Sequence, residues 1–405
     1  MKFKHILILI LLIIFIFPCT KSYSATSDLS LDCASAILVD MDTGYILYEK
    51  HSNEKMYPAS TTKILSSIII LENCGIDEKV TATVSAISQI PDGYSSAYIV
   101  PGEVLTVKEL LTLFLVHSAN EAGYILAEYY AKSINNFAIL MNKKAKEIGC
   151  QNSNFLNPSG LHDDNHYTTA YDLSLIASYC MKNDIFRSIV SMKNCTIPAT
   201  NKSNVRKYSN SNSLINPNSK FYIEECTGIK TGTTTQAKNC LISSFSKDNL
   251  NLICVVLGST TNDSRYIDSR ALFKYAYNNY AIKTIVNKHD VLNNIEISNG
   301  TKETRNVDLI LEDKINALVN LNEEISEPVI TLNNNISAPI SQNQVLGTAS
   351  YTINDITYTR NLLASHDVEK DNSLLILFGI LLVTLIILIL IIIIFLKYKK
   401  RKIII

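Results

Sequence analysis

The chain has 405 residues, with 37 basic and 37 acidic side chains, 47% hydrophobic residues, nine cysteines and no tryptophan. At roughly 100–200 residues per domain, this length allows about two to three domains. The zero formal charge is a sum over dissimilar segments, so it excludes partners only once those segments are separated.

At the N-terminus Lys2, Lys4 and His5 precede the apolar run Ile6–Phe17, followed by Pro18 and Ser22-Tyr23-Ser24-Ala25. Residues 1–24 read as a secretory signal peptide. The run is shorter than the ~20 residues that span a bilayer, which argues against a retained anchor. A lipoprotein reading of Cys19 is set aside, because Pro18 stands where a small residue belongs. At the other end, residues 374–396 carry no charge and are followed by Lys397, Lys399, Lys400, Arg401 and Lys402. That span is long enough to cross hydrocarbon, and the cations predict a cytoplasmic tail, 397–405. Between these ends the exported portion keeps 37 acids against 29 bases, a balance of −8. A negative ectodomain lacks the electrostatic footprint of a nucleic-acid binder. Eight cysteines remain after Cys19 and no CxxC occurs. Disulfides and small buried hydrophobes both remain open for them.

Residues 33–50 hold two apolar runs around Asp42-Thr43-Gly44, a hairpin signal. From about 58 to 190 the spacing turns helical, with Ile64, Leu65, Ile68, Ile69 and Leu71 as one stripe and repeats near 107–132, 135–148 and 170–182. Thr169 and Asp172 have the form of a capping box. Residues 221–260 return to strands with a turn at Lys247-Asp248-Asn249, and a helix follows at about 264–280. Strands at both ends with helices between them predict one sheet, closed by sequence-distant segments and packed on a helical cluster. From about 286 to 366, short alternating segments such as Val307–Leu311 predict a small all-β domain. Residues 367–373 read as a polar linker.

Three motifs carry chemistry. Ser60-Thr61-Thr62-Lys63 stands where the first helical stripe begins, so Lys63 and Ser60 share a face and helix-start N–H groups are available to an oxyanion. A serine needs a neighbouring base, and Lys63 can serve if burial or another cation lowers its pKa. Ser-x-x-Lys recurs at Ser244–Lys247, before a turn where no helix aligns the pair. In the second motif, Ser118 could relay a proton and the Asn120 amide could bind a peptide carbonyl. The third, Lys230-Thr231-Gly232, occurs once, on a predicted strand. Lys230 supplies a second cation, and Gly232 admits a substrate backbone close to the strand.

In this order the motifs resemble those of the D-alanyl-D-alanine carboxypeptidases, low-molecular-weight penicillin-binding proteins of the serine penicillin-recognising superfamily. Asn157–Leu161 and the following His166–Leu173 are similar to that family's loop and next helix, and the resemblance covers about residues 30–366. It implies an α/β (α+β) transpeptidase-like catalytic domain at 28–283, with an antiparallel sheet and a helical cluster, and a small β-rich domain at 286–366. By position it implies Ser60 as the acylated nucleophile, Lys63 as general base, Ser118 as relay and Asn120 as its assistant. Lys230, Thr231 and Thr233 would hold the substrate carboxylate beside Gly232, with the N–H groups of Ser60 and Thr233 as the oxyanion hole. Arg265 matches a family arginine near that carboxylate, though a helix-start arginine is equally expected to be solvated. Ser159 and Ser211 depart from relatives that carry histidine and arginine there, which leaves substrate preference open.

The implied substrate is a peptidoglycan stem peptide ending in D-Ala-D-Ala, with β-lactams as covalent inhibitors and no metal or organic cofactor. Alternatives are a D,D-endopeptidase on crosslinked stems, a β-lactamase or a non-catalytic penicillin-binding receptor. A class A β-lactamase needs a glutamate where this chain has Ser153, four residues before Asn157. A receptor would need more than the nine residues that follow Leu396. His162 and His166 have the i, i+4 spacing of a zinc pair, but they lie in a loop signal without a neighbouring Glu and are expected to be solvated.

Overall fold

A computed structural model describes residues 29–402; the expected signal peptide lies outside them. The chain divides after Tyr277 into two compact units. In the first, β1 (Ser35–Asp40) and β2 (Ile46–Lys50) form the expected hairpin. Its turn is held by the Thr43 N–H and hydroxyl donating to Asp40 Oδ2 at 2.9 and 2.5 Å. The helical stretch contains α1 (Lys63–Asn73), α2 (Val84–Ser88), α3 (Val107–Thr112), α4 (Asn120–Ala131), α5 (Ile134–Ile148), α6 (Ala170–Cys180) and α7 (Asp184–Val190). Two small hairpins join it: β3 (Lys79–Thr81) with β4 (Val104–Thr106), and β5 (Asn194–Ile197) with β6 (Arg206–Ser209). The strands β7 (Cys226–Thr234), β8 (Lys238–Lys247) and β9 (Leu250–Ser259) precede α8 (Ser264–Asn279).

The main sheet has the order β2-β1-β9-β8-β7, all pairs antiparallel. Ile37 of β1 lies opposite Val255 of β9, so the start and end of the unit close the sheet, as expected from the sequence. This order leaves β7 as an edge strand.

The helical stretch departs from expectation in three ways. Residues 63–70 of α1 are buried all round, Ser66 and Ser67 included, so α1 is a central helix rather than a one-stripe helix. The periodicity near 107–132 is interrupted: a π-helical turn at Leu113–His117 ends on Ser118 in the left-handed region, φ +66°, before α4 begins. Apolar spacing continues through Phe114, Leu115 and Val116 and conceals that break. At α6 only half the capping box forms. The Thr169 hydroxyl accepts from Asp172 N at 3.0 Å, but the Asp172 carboxylate accepts instead from Asn152 N and Ser153 Oγ at 2.8 and 2.6 Å.

The second unit contains β10 (Tyr280–Val286), β11 (Val291–Glu296), β12 (Asn306–Leu311), β13 (Ile315–Asn320), β14 (Val329–Leu332), β15 (Val345–Ile353), β16 (Ile356–Ala364) and α9 (Ser373–Lys402). Its larger sheet runs β11-β12-β16-β15-β14 over a core of Val307, Leu309, Leu311, Leu346 and Leu362. Two boundaries differ from those read in the sequence. Strand β10 pairs with β13, Ile282 opposite Leu318, so cross-strand pairing draws residues 280–283 into the β unit. The expected linker at 367–373 is largely structured: Val368 is 2% exposed and exchanges backbone hydrogen bonds with Ile340 at 2.8 and 3.1 Å. Within α9, residues 373–397 have a mean hydropathy of 3.6, long and apolar enough to cross a membrane. All eight cysteines among the described residues are free thiols and seven are buried, which favours the small-hydrophobe reading.

Candidate active site

Pro58 leads into a 3₁₀ turn, Ala59–Thr62, from which α1 continues at Lys63. Ser60 sits half-buried on that turn, and Lys63 is fully buried. Lys63 Nζ lies 2.8 Å from Ser60 Oγ, 2.7 Å from Asn120 Oδ1 and 2.9 Å from the Ser159 carbonyl oxygen. The Phe114 ring lies 5.2 Å from the same nitrogen. Burial pushes the Lys63 pKa well below the ordinary lysine range, and the nearby Lys230 cation adds to the shift while Glu121 opposes it.

When Lys63 is neutral, these three neighbours orient its amine. It has two N–H donors and one lone pair, and two of its neighbours are carbonyl oxygens that can only accept. With both N–H groups spent on Asn120 and Ser159, the lone pair faces the one neighbour that can donate, the Ser60 hydroxyl. That is the arrangement a base needs to take the serine proton.

Edge strand β7 lies against the Ser60 turn. A Cβ on Gly232 would come within 2.9–3.1 Å of Pro58 O, Ser60 N and Thr61 N. The sequence reading assigned the room at Gly232 to a substrate; the structure uses it for the chain's own Ser60 turn. Lys230 is 1% exposed and donates to Thr231 O at 3.0 Å. Burial, then the Arg265 cation, lower its pKa to about 7. Thr231 Oγ1 meets Ser211 Oγ at 2.7 Å. The hydroxyl at this departing position is therefore held against β7. Thr233 is exposed, and its hydroxyl accepts from Arg265 at 3.0 Å.

Arg265 is not solvated. It is 6% exposed, donates to Gly232 O at 3.2 Å and lies 4.9 Å over the Tyr266 ring. Ser118 is 8% exposed but takes no part in the Lys63 hydrogen bonds among the described residues, so the expected relay contact is not made in this state. His166 corrects the solvated reading. It is 2% exposed, its Nε2 meets Thr62 Oγ1 at 3.0 Å, its Nδ1 accepts from Leu156 N at 3.2 Å, and burial drops its pKa to about 4. At the second Ser-x-x-Lys, Lys247 pairs with Glu225 at 3.1 Å and Ser244 with Thr227 at 2.7 Å, so that pair does not form. Ser153, in the place of a β-lactamase glutamate, bonds to Thr168 and Asp172.

Sequence reasoning missed the Ser159 carbonyl and Gly160. Gly160 has φ +79°, and a Cβ there would meet Ala59 O at 1.8 Å. Only glycine lets the loop bring Ser159 O to Lys63 beside the nucleophile turn. Asn157 Oδ1 fixes that loop by accepting from the N–H groups of Gly160 and Leu161 at 2.8 and 3.0 Å. The Asn-Pro-Ser-Gly string was a loop signal, but nothing in it points to Lys63.

A buried lysine poised on a serine, beside an edge strand with a second buried lysine, defines an acyl-transfer site of the serine penicillin-recognising type. Residues 21–261 match the peptidase family described as D-alanyl-D-alanine carboxypeptidase, and residues 280–370 match the C-terminal domain of penicillin-binding protein 5. The chain is 33% identical over 332 residues to the D-alanyl-D-alanine carboxypeptidase DacF of Bacillus subtilis, covering 80% of this chain and 82% of that one. It is 27% identical over 343 residues to DacA of Haemophilus influenzae, covering 82% and 84%. The crystal structure of penicillin binding protein 5 from Haemophilus influenzae superposes with a TM-score of 0.64 at 26% identity, over 85% of this chain and 100% of that one. The chain belongs to the D-alanyl-D-alanine carboxypeptidase family.

Proposed function

We propose that this protein removes the terminal D-alanine from peptidoglycan stem peptides through an acyl-enzyme on Ser60. The observation that carries the reading is Lys63 Nζ, fully buried, 2.8 Å from Ser60 Oγ with its other two contacts on carbonyl oxygens. Neutral Lys63 takes the Ser60 proton as Oγ attacks the carbonyl of the penultimate D-alanine. The N–H groups of Ser60 and Thr233 stabilise the oxyanion, a reading supported by the packing of Gly232 against the Ser60 turn. The C–N bond breaks and the leaving D-alanine takes a proton from Lys63, with Ser118 as relay once substrate draws its hydroxyl in. Water then hydrolyses the ester by the reverse proton path. Lys230, Thr231, Thr233 and Arg265 hold the substrate carboxylate, a reading supported by the Arg265 guanidinium 3.0 Å from the Thr233 hydroxyl and by its electrostatic action on Lys230. A β-lactam acylates Ser60 as a mimic of the terminal dipeptide.

The unit that ends at Tyr277 carries the reaction, the strands from Tyr280 onward form the accessory β domain, and the apolar part of α9 crosses the membrane once. The cations at its end keep the tail in the cytoplasm and the catalytic domain on the wall side, after removal of residues 1–24. The full-length protein in detergent is expected to release D-alanine from a stem pentapeptide. Failure to do so sinks the reading, and cleavage confined to crosslinked dimers would replace it with an endopeptidase.

A further inference from the structure

Tyr98 is 83% exposed, and its backbone has φ +57°. Bulky residues rarely occupy that left-handed region, and when they do the surroundings must enforce it. Here they do so in detail. The flanking residues Ala97 and Ile99 are 0% and 4% exposed, and their N–H groups donate to Glu121 Oε1 at 2.6 and 3.5 Å. On the other side of the same segment, Ala97 O accepts from Arg206 at 3.1 Å and from the Tyr208 hydroxyl at 3.0 Å. Tyr98 N donates to Ser96 Oγ at 2.9 Å, and that hydroxyl donates to Glu121 at 2.7 Å. A buried carboxylate and a hairpin thus clamp the chain so that one aromatic ring stands out in solvent.

The clamp is joined to the reactive centre. Ser95 O accepts from both Asn120 N and Asn120 Nδ2 at 3.0 Å, and Asn120 Oδ1 is the Lys63 contact described above. From Ser95 to Tyr98 the chain reaches at most about 10 Å, so Tyr98 stands within about three extended peptide residues of the Asn120 amide. A tyrosine ring offers a flat apolar face and a polar edge at small conformational cost, which suits it to such contact.

Resting on the carboxypeptidase reading, we infer that Tyr98 is a docking face for the stem-peptide residues on the amino side of the D-Ala-D-Ala pair, and so sets substrate preference. The test is binding to full-length protein carrying Ser60→Ala, which leaves ligand uncleaved. Adding Tyr98→Ala is expected to weaken a stem pentapeptide about five- to tenfold and to leave N-acetyl-D-Ala-D-Ala unaffected, while Tyr98→Phe retains most of the affinity. Equal losses on both ligands would assign Tyr98 to loop support. No loss on either, or no pentapeptide binding by the Ser60→Ala protein, would also overturn the inference. Absence of D-alanine release by the unsubstituted protein is a separate result that counts against the reaction and not against this contact.

Discussion

Replacing Lys63 by methionine is expected to slow acylation of Ser60 by about 10²- to 10⁴-fold, the usual contribution of a positioned general base. Methionine keeps an apolar stem of similar length in a site that is fully buried, so the packing against Phe114 is retained while the base and its hydrogen bonds to Asn120 and Ser159 are lost. The thermal midpoint separates this from unfolding. Lys63 has a lowered pKa in the folded state, so between its folded and unfolded values the unfolded chain binds a proton that the folded chain does not. Stability of the unsubstituted protein therefore rises with pH toward the unfolded lysine value of about 10.4, where the penalty ends. The methionine variant lacks that dependence, and its midpoint relative to the unsubstituted protein should fall as pH is raised. Rates of labelling by a fluorescent penicillin together with melting curves at two pH values check both parts. A variant that is labelled at the original rate would remove Lys63 from the reaction.

The second large effect is expected at Lys230. Its pKa of about 7 means that the free protein loses the charge that attracts the substrate carboxylate as pH rises through neutrality. For a carboxylate-terminated peptide, kcat/KM should fall above about pH 7, through KM rather than kcat. Lys230→Arg should flatten that alkaline limb, because a guanidinium stays charged across this range. Lys230→Met should lower kcat/KM by about ten- to a hundredfold at pH 6, the worth of one hydrogen bond to a charged group. Arg265→Leu removes the neighbouring cation, which would raise the Lys230 pKa and move the limb to higher pH. A limb that stays in place in both Lys230→Arg and Arg265→Leu would assign it to another group.

The nucleophile, both lysines and the Asn120 amide were legible because each belongs to a local string whose spacing matches its element: three residues on one helical face, or one glycine in a strand. The closed sheet was legible for a similar reason, since apolar strands stood at both ends of the helical stretch. What escaped were contacts fixed by backbone conformation and tertiary approach. The Ser159 carbonyl is a backbone atom, available to every residue type, and it reaches Lys63 only because Gly160 tolerates contact with Ala59. Burial of Arg265 and His166 depends on elements remote in sequence, so their polarity alone pointed outward. The left-handed break at Ser118 and the projection of Tyr98 are enforced by Leu113 and Glu121 respectively, which no period of 2 or 3.6 residues encodes. The boundary near 280 shifted because β10 finds its partner about 35 residues further on.

Ser60 is the residue proposed to carry the acyl group. The most direct test is mass spectrometry of the full-length protein after graded exposure to penicillin, with D-alanine release from a stem pentapeptide assayed on the same samples. The predicted result is a single adduct per chain on the peptide containing Ser60, with release falling in proportion to the labelled fraction. An adduct on another residue, or release that persists when Ser60 is fully labelled, would contradict it.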